Sequence, residues 1–71
     1  MATIFHEGDP KHFYNITYRL YDRFDHRWGK EQVEERYSAP NPTEAERSYK
    51  SYLEWLCPSK SVEIISVKEV Q

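Results

Sequence analysis

Apolar and polar side chains alternate from residue 14 onward, and this alternation constrains the fold more than any other feature of the sequence. The apolar members are Tyr14, Ile16, Tyr18, Leu20 and, beyond Asp22, Phe24. The residues between them are Asn15, Thr17, Arg19, Tyr21 and Arg23. Because successive side chains of a β-strand point to opposite faces, the pattern predicts a strand over 14–24 with one buried face.

The following residues predict a hairpin and a second strand at the edge of the sheet. The stretch 25–30 contains Gly29, which can adopt the positive φ that a chain reversal often needs. Extended character returns over 32–39, where the apolar side chains of one face are Val33, Tyr37 and Ala39. Glu35 shares that face, and an inward-pointing charge is typical of an edge strand.

A helix is predicted to follow the prolines at 40 and 42, which disfavour continuation of the strand. Two N-caps fit the sequence. In one, Asn41 caps the helix with Pro42 at its first position and Glu44 completing a capping box. In the other, Thr43 is the cap and Glu46 takes the role of Glu44.

The predicted helix has an apolar stripe at helical spacing, and Pro58 ends the helix near Cys57. The stripe consists of Ala45, Tyr49, Tyr52, Leu53 and Leu56. Trp55 flanks this stripe, so we expect it to be partly buried within the monomer, although it is also placed to reach a neighbouring subunit.

The segment 61–70 is rich in β-branched residues and predicts a last strand. Ile64 and Ile65 are adjacent and interrupt the alternation. This interruption indicates either a β-bulge or a strand with apolar contacts on both faces.

These elements predict a single α+β domain in the order ββαβ. Short connections favour a three-stranded antiparallel sheet of order 2-1-3 with one helix packed on one face, so the strand over 14–24 lies in the middle. Residues 1–12 are predicted to be flexible or to contain a short extended piece at 3–5. The rest of the chain is too short to cover the second face, which should stay open.

The open face is the main candidate for a binding surface, because aromatic and arginine side chains are favoured in binding hot spots. The predicted partner-binding residues of this face are Phe13, Thr17, Arg19, Tyr21, Arg23 and Arg36, and two further candidates are Trp28 in the hairpin tip 25–30 and Trp55 on the helix. Asn15 and Glu34 are expected on the same face. The alternative for each residue is an ordinary solvated sheet surface, and Trp28 also fits a core position folded over the sheet edge.

The sequence offers no pattern for catalysis, a cofactor or a metal. The candidate metal ligands His6, His12, His26 and Cys57 lack the paired spacing of metal sites, and the two glycines form no phosphate-binding loop. The single cysteine rules out an internal disulfide. We therefore predict a protein that is not an enzyme.

The charge of the chain does not favour a general affinity for nucleic acid or membranes. The formal net charge is −2, with both signs mixed along the sequence. No run approaches the roughly 20 apolar residues needed to cross a bilayer, and the first residues lack the features of a signal peptide. We therefore expect a cytoplasmic protein.

Three segments carry a resemblance to a known group of proteins. SAPNPTEAE at 38–46 and SVEIISVKEV at 61–70, together with YRLYD at 18–22, resemble small ββαβ accessory proteins of bacteriophage and mobile-element genomes. The resemblance implies an inhibitor or modulator of host machinery that acts by direct protein contact, as some anti-CRISPR-like proteins do. It lies in the scaffold and not in a site, so it assigns no functional residues.

The leading hypothesis is a non-catalytic module that binds a protein partner, or a second copy of itself as a homodimer, through the open face. The alternative is a nucleic-acid accessory with a local basic and aromatic patch of Arg19, Tyr21, Arg23, Arg27 and Trp28. A third hypothesis is a subunit of an enzyme built by other chains. No small-molecule substrate or membrane partner is indicated.

Overall fold

The computed structural model describes residues 12–70 and has the predicted α+β fold. Its elements are β1 (His12–Asp22), β2 (Arg27–Trp28), β3 (Gln32–Ala39), α1 (Pro42–Leu56) and β4 (Lys60–Val70). The expectation for the N-terminal segment lies outside the described residues except at His12, which belongs to β1. No helix in the described range is long and apolar enough to cross a membrane.

The sheet is built around β1, which pairs antiparallel with all three other strands. Strand β4 follows β1 along 13–22, so β2 and β3 must both lie at the opposite edge. Together β2 and β3 form the predicted second strand, and β4 is the predicted third. The predicted order 2-1-3 is therefore confirmed, with the second strand interrupted at 29–31.

The hairpin closes earlier than the sequence pattern predicts. The side chain of Asp22 accepts hydrogen bonds from the backbone N–H groups of Phe24 and Asp25, at 2.9 and 3.1 Å. His26 has a φ of 56° and donates its N–H to the Asp22 carbonyl at 2.7 Å. The prediction that Gly29 makes the reversal is wrong, because Asp22 folds the chain locally before Gly29 is reached.

A β-bulge in β3 reverses part of the predicted face assignment. Tyr37 pairs with Tyr14, whereas Glu34 pairs with Ile16, so two residues of β3 lie opposite one of β1. The bulged Arg36 has a φ of 57°, and its N–H donates to the side-chain oxygen of Asn15 at 3.1 Å.

The consequence of this bulge is that residues before it exchange faces. Glu34 pairs with the buried Ile16 and so lies on the helix-covered face, not on the open face as predicted. Val33 pairs with Thr17 and lies on the open face, where 51% of its surface is exposed. Side chains after the bulge keep the predicted assignment, since Ala39 is buried.

A second bulge lies in β4 and confirms one of the two expectations for the Ile64–Ile65 pair. Thr17 pairs with Ser66, but Tyr18 pairs with Ile64, so Ile65 is the extra residue. Ile64 packs against the core, while Ile65 is 42% exposed.

The helix begins at Pro42 with Asn41 as its N-cap, which decides between the two predicted caps. The Asn41 side-chain oxygen accepts the N–H of Glu44 at 2.8 Å. The Glu44 carboxylate is paired with Arg47 at 3.1 Å. At the other end, the Cys57 N–H donates to Leu53 O and the helix stops before Pro58, as predicted.

The core is narrower than the predicted apolar stripe of the helix. The buried residues are Tyr14, Ile16, Tyr18, Ala39, Ala45, Tyr49 and Leu53. Tyr52 and Leu56 remain about half exposed, at 49% and 51%. Because a single helix lies on the sheet, only side chains spaced by four residues along its underside are fully covered.

Candidate functional site

The open face of the sheet is formed by the odd-numbered side chains of β1 and their pairing partners. Residues that pair directly across antiparallel strands share a face. The predicted site residues that lie there are Phe13, Thr17, Arg19, Tyr21, Trp28 and Arg36. The β1 members are half-buried by their neighbours, and no element within residues 12–70 packs over them, since α1 covers the other face.

One end of the face carries a cluster of an arginine and two aromatic rings. The guanidinium of Arg19 lies over Trp28, with 4.2 Å between its central carbon and the ring centroid. Tyr21 meets the Trp28 ring edge-to-face with a centroid distance of 5.2 Å. Trp28 is 43% exposed, so of the two predicted positions it takes the surface one.

The Arg19 side chain is fixed from a third strand. Its Nε donates a hydrogen bond to a carboxylate oxygen of Glu63 in β4 at 2.5 Å. An arginine held by both a ring and a carboxylate loses little further conformational freedom when a ligand binds. The pairing also neutralises much of its charge.

The other end of the face carries a second arginine and aromatic pair. The guanidinium of Arg36 lies 4.8 Å from the ring centroid of Phe13. Arg36 reaches this position because the β3 bulge turns the backbone there. With about 3.3 Å per residue, the six-residue separation of Phe13 and Arg19 along β1 places the two pairs about 20 Å apart.

The surface between the two pairs carries small, aliphatic and polar side chains, with Asn15 and Lys68 nearest to Phe13. Thr17 of β1 is flanked by Val33 on one side and Ser66 on the other. Sequence reasoning did not include Val33, Glu63 or Lys68 in this face. The alternation of β4 around the predicted bulge was the signal that could have placed Glu63 and Lys68 there.

Arg23 does not lie on the open face, which corrects its prediction as a binding residue of that face. Its guanidinium donates to the backbone carbonyls of Pro58 and, at 3.2 Å, Ser59. These carbonyls follow the end of α1, where the partial negative charge of the helix terminus attracts a cation. Since β1 ends at Asp22, Arg23 is outside the alternating pattern.

Trp55 is also remote from the open face, and the expectation that it is partly buried is wrong. It is 76% exposed on the outer side of α1, where its ring lies 6.4 Å from that of Tyr52. Leu56 extends this exposed apolar area. Only the side chains on the underside of α1 pack against the sheet, so Trp55 and Leu56 are not covered.

Titratable groups with shifted pKa values belong to the hairpin and the core. Hydrogen bonds from the N–H groups of Asp25 and Phe24 lower the pKa of the Asp22 carboxyl. Burial, with contributions from Tyr18 and Glu34, raises the pKa of Tyr49, whose hydroxyl donates to Glu34 at 3.3 Å. Burial and the charge of Glu69 raise the pKa of Tyr14.

The described part of the chain contains no group of three or more histidine, cysteine or acidic side chains placed to hold a metal ion. A shallow groove of about 410 Å³ lies between the end of α1 and the start of β4. It is lined by charged side chains such as Arg23, Lys50 and Glu54, and it is widely open to solvent.

Comparison of the chain with known protein families, with curated proteins and with solved structures finds no match. The geometry of the chain is therefore the basis for a functional proposal.

Proposed function

We propose that this protein is a non-catalytic binding module that recognises a protein partner through the open face of its sheet. The observation that supports this proposal is the pair of arginine and aromatic contacts at the two ends of that face, Arg19 on Trp28 and Arg36 on Phe13. Tryptophan, tyrosine and arginine are the residues most enriched among those that dominate binding energy.

The shape and charge of the face fit a protein surface. By strand geometry about 20 Å separates the Arg19–Trp28 pair from the Arg36–Phe13 pair, and Thr17, Val33 and Ser66 are among the side chains between them. The cations on the face that remain without a close carboxylate partner in the described residues are Arg36 and Lys68. We therefore propose a partner that places a carboxylate opposite Arg36 and an apolar side chain against Trp28.

The nucleic-acid alternative is weakened by the positions of its predicted residues. Arg23 donates to carbonyls beyond the helix, and Arg19 is paired with Glu63. Arg27 pairs with Asp22 and so lies on the face opposite to Trp28. The proposed basic patch is thereby reduced to a single neutralised arginine beside Tyr21 and Trp28.

The resemblance to small accessory proteins of phage and mobile elements extends the proposal to its biological setting. In this setting the protein is an inhibitor or modulator of a host protein complex and acts in the host cytoplasm. Its effect comes from occupying a surface of that complex, so no cofactor or substrate is required.

The experiment identifies a partner by affinity capture from the native host and then measures its affinity for purified variants. Trp28→Ala and Arg36→Ala should each weaken binding by about tenfold or more, as expected for hot-spot residues. Trp55→Ala is the matched control, because it removes an equally large exposed side chain from the opposite side of the molecule.

A captured protein supports the proposal only if Trp28→Ala and Arg36→Ala weaken its binding and Trp55→Ala does not. Unchanged affinity of the Trp28 and Arg36 variants would overturn the open face as the binding surface. Binding to single-stranded nucleic acid that falls steeply with added salt, and that needs Trp28, would instead favour the nucleic-acid alternative.

A further inference from the structure

Strand β4 forms one edge of the sheet and is the longest unshielded edge in the described structure. Of its 11 residues, all but the bulged Ile65 pair with β1 on one side, and no strand within residues 12–70 pairs with its other side. An extended edge of this kind presents backbone N–H and C=O groups that can pair with another strand. The opposite edge is divided at 29–31 into a strand of two residues and one of eight.

We propose that the outer edge of β4 pairs antiparallel with β4 of a second copy of this chain, forming a two-fold symmetric dimer. The inference does not rest on the proposed function, because it concerns backbone pairing along the outer edge of β4 and holds whether or not the open face binds a partner. A second copy is the occupant that the charge pattern of β4 itself indicates.

The charge pattern of β4 is self-complementary about a two-fold axis that passes between Ile65 and Ser66. Antiparallel pairing about this axis places Glu63 of each copy opposite Lys68 of the other. Glu63 and Lys68 both lie on the open face, because they pair with Arg19 and Asn15 of β1. Opposite charges directly across a strand pair stabilise the pairing.

The apolar side chains of β4 match in the same register. Ile64 and Val67 both lie on the helix-covered face, where they pack against the core. The same two-fold axis places Ile64 of one copy opposite Val67 of the other, on the same face. The Ile65 bulge puts Ile64 and Val67 on the same face although they are three residues apart. In each copy, Ile65 separates Ile64 from the axis and Ser66 separates Val67 from it.

Ile65 supplies a further reason for pairing at this point. It is 42% exposed in the middle of the edge strand, where a charged residue would protect a monomeric protein from self-association. In the proposed dimer it lies beside the two-fold axis and is covered by the second copy.

The dimer has a defined consequence for the rest of the molecule. A two-fold axis perpendicular to the sheet maps each face onto itself, so both open faces lie on the same side of one continuous sheet. Two copies of the Arg19 and Trp28 cluster would then be presented together, which favours a partner with repeated binding sites.

The test is sedimentation equilibrium of the full chain over a wide range of protein concentration. The unmodified protein should form a dimer, and Ile65→Lys should abolish it, because two lysines then meet at the axis. Val33→Lys is the control, since Val33 is similarly exposed but lies in β3 at the opposite edge. Circular dichroism checks that each variant is folded.

A charge exchange tests the register. Lys68→Glu should weaken the dimer by about tenfold, because two attractive cross-strand pairs become repulsive. Adding Glu63→Lys to that variant should restore most of the affinity. Glu63 also holds Arg19, so the thermal stability of the double variant is measured beside its association.

A protein that stays monomeric at all concentrations would overturn the proposal. A dimer that persists unchanged in Ile65→Lys and in Lys68→Glu would also overturn it, because the interface would then lie elsewhere. If the chain is a monomer and the outer edge of β4 pairs with a strand of another protein, the proposal of a second copy at this edge is also overturned.

Discussion

Arg19 lies between Trp28 and Glu63, and through these two contacts it connects three strands of the sheet. Its guanidinium carbon is 4.2 Å from the Trp28 ring centroid in β2, and its Nε donates to Glu63 in β4. Strand β2 is only two residues long, so this side-chain contact adds to the few backbone pairs that join it to β1.

The contact between Arg19 and Trp28 should be measurable as a coupling. In a double-mutant cycle of Arg19→Ala and Trp28→Ala, we expect a coupling free energy of about 0.5–1 kcal/mol, as for an exposed cation–π pair. Denaturant unfolding of the four proteins measures it. Additive effects of the two substitutions would show that the stacking contributes nothing to stability.

Leu53 and Trp55 should differ sharply in their importance for stability, although both are large apolar residues of the same helix. Leu53 is 4% exposed, so Leu53→Ala should lower the free energy of unfolding by about 2–4 kcal/mol. Trp55 is 76% exposed, so Trp55→Ala should change it by less than about 0.5 kcal/mol. Urea unfolding measures the free energy of unfolding of both variants. Equal losses of that free energy would contradict the orientation of the helix.

The N-cap of α1 should be replaceable only by another good acceptor. Asn41→Ala leaves the Glu44 N–H without its 2.8 Å partner and should cost about 1 kcal/mol. Asn41→Asp should keep most of the stability, because its carboxylate accepts the same hydrogen bond. Thermal unfolding checks both, and Thr43→Ala is the control for the cap that the structure does not use.

The hairpin should make stability depend on pH in the acid range. The folded state lowers the pKa of Asp22, so its contribution to stability is present above the unfolded-state pKa and is lost as pH falls through the folded value. Asp22→Asn should therefore be less stable at neutral pH and should flatten the loss of stability below about pH 4.

The matched control for this prediction is Asp25→Asn, which removes a charge from the same turn but keeps the backbone hydrogen bond to Asp22. Denaturant unfolding at a series of pH values compares the two variants. Parallel pH profiles for Asp22→Asn and the unmodified protein would exclude this role of Asp22.

Tyr49 should make the fold sensitive to alkali. Its pKa is raised above the ordinary 10.0, chiefly by burial, so its stabilising contribution is complete below that value and declines as pH rises above it. Absorbance of the phenolate should show Tyr49 ionising only as the protein unfolds. Tyr49→Phe should reduce the alkaline loss of stability, whereas Tyr52→Phe, from the exposed side of the helix, should not.

Much of the fold could be predicted because it depends on short stretches of sequence. The alternation around Ile16 predicted the central strand, and Pro42 with the flanking caps predicted the start of the helix. The adjacent Ile64 and Ile65 predicted the β4 bulge. Each of these features reflects steric preferences or hydrogen bonds within a few residues.

The candidate site was predicted less completely, because membership of a face depends on pairing between strands. Arg19 and Tyr21 were expected on the open face and lie there, and Trp28, expected at the hairpin tip, joins them on that face. Glu34 lies on the helix-covered face because the β3 bulge reverses the face of the side chains before it. Arg23 lies outside β1 because the turn at Asp22 ends the strand.

The sequence by itself determined which segments are extended and which is helical, since alternation and capping act locally along the chain. Only the tertiary structure decided that Arg36 stacks on Phe13, that Trp55 stays exposed, and that β4 has a free outer edge. These relationships depend on register and on how one helix lies across a sheet. Both are set by packing between segments distant in sequence, which no local pattern of residues specifies.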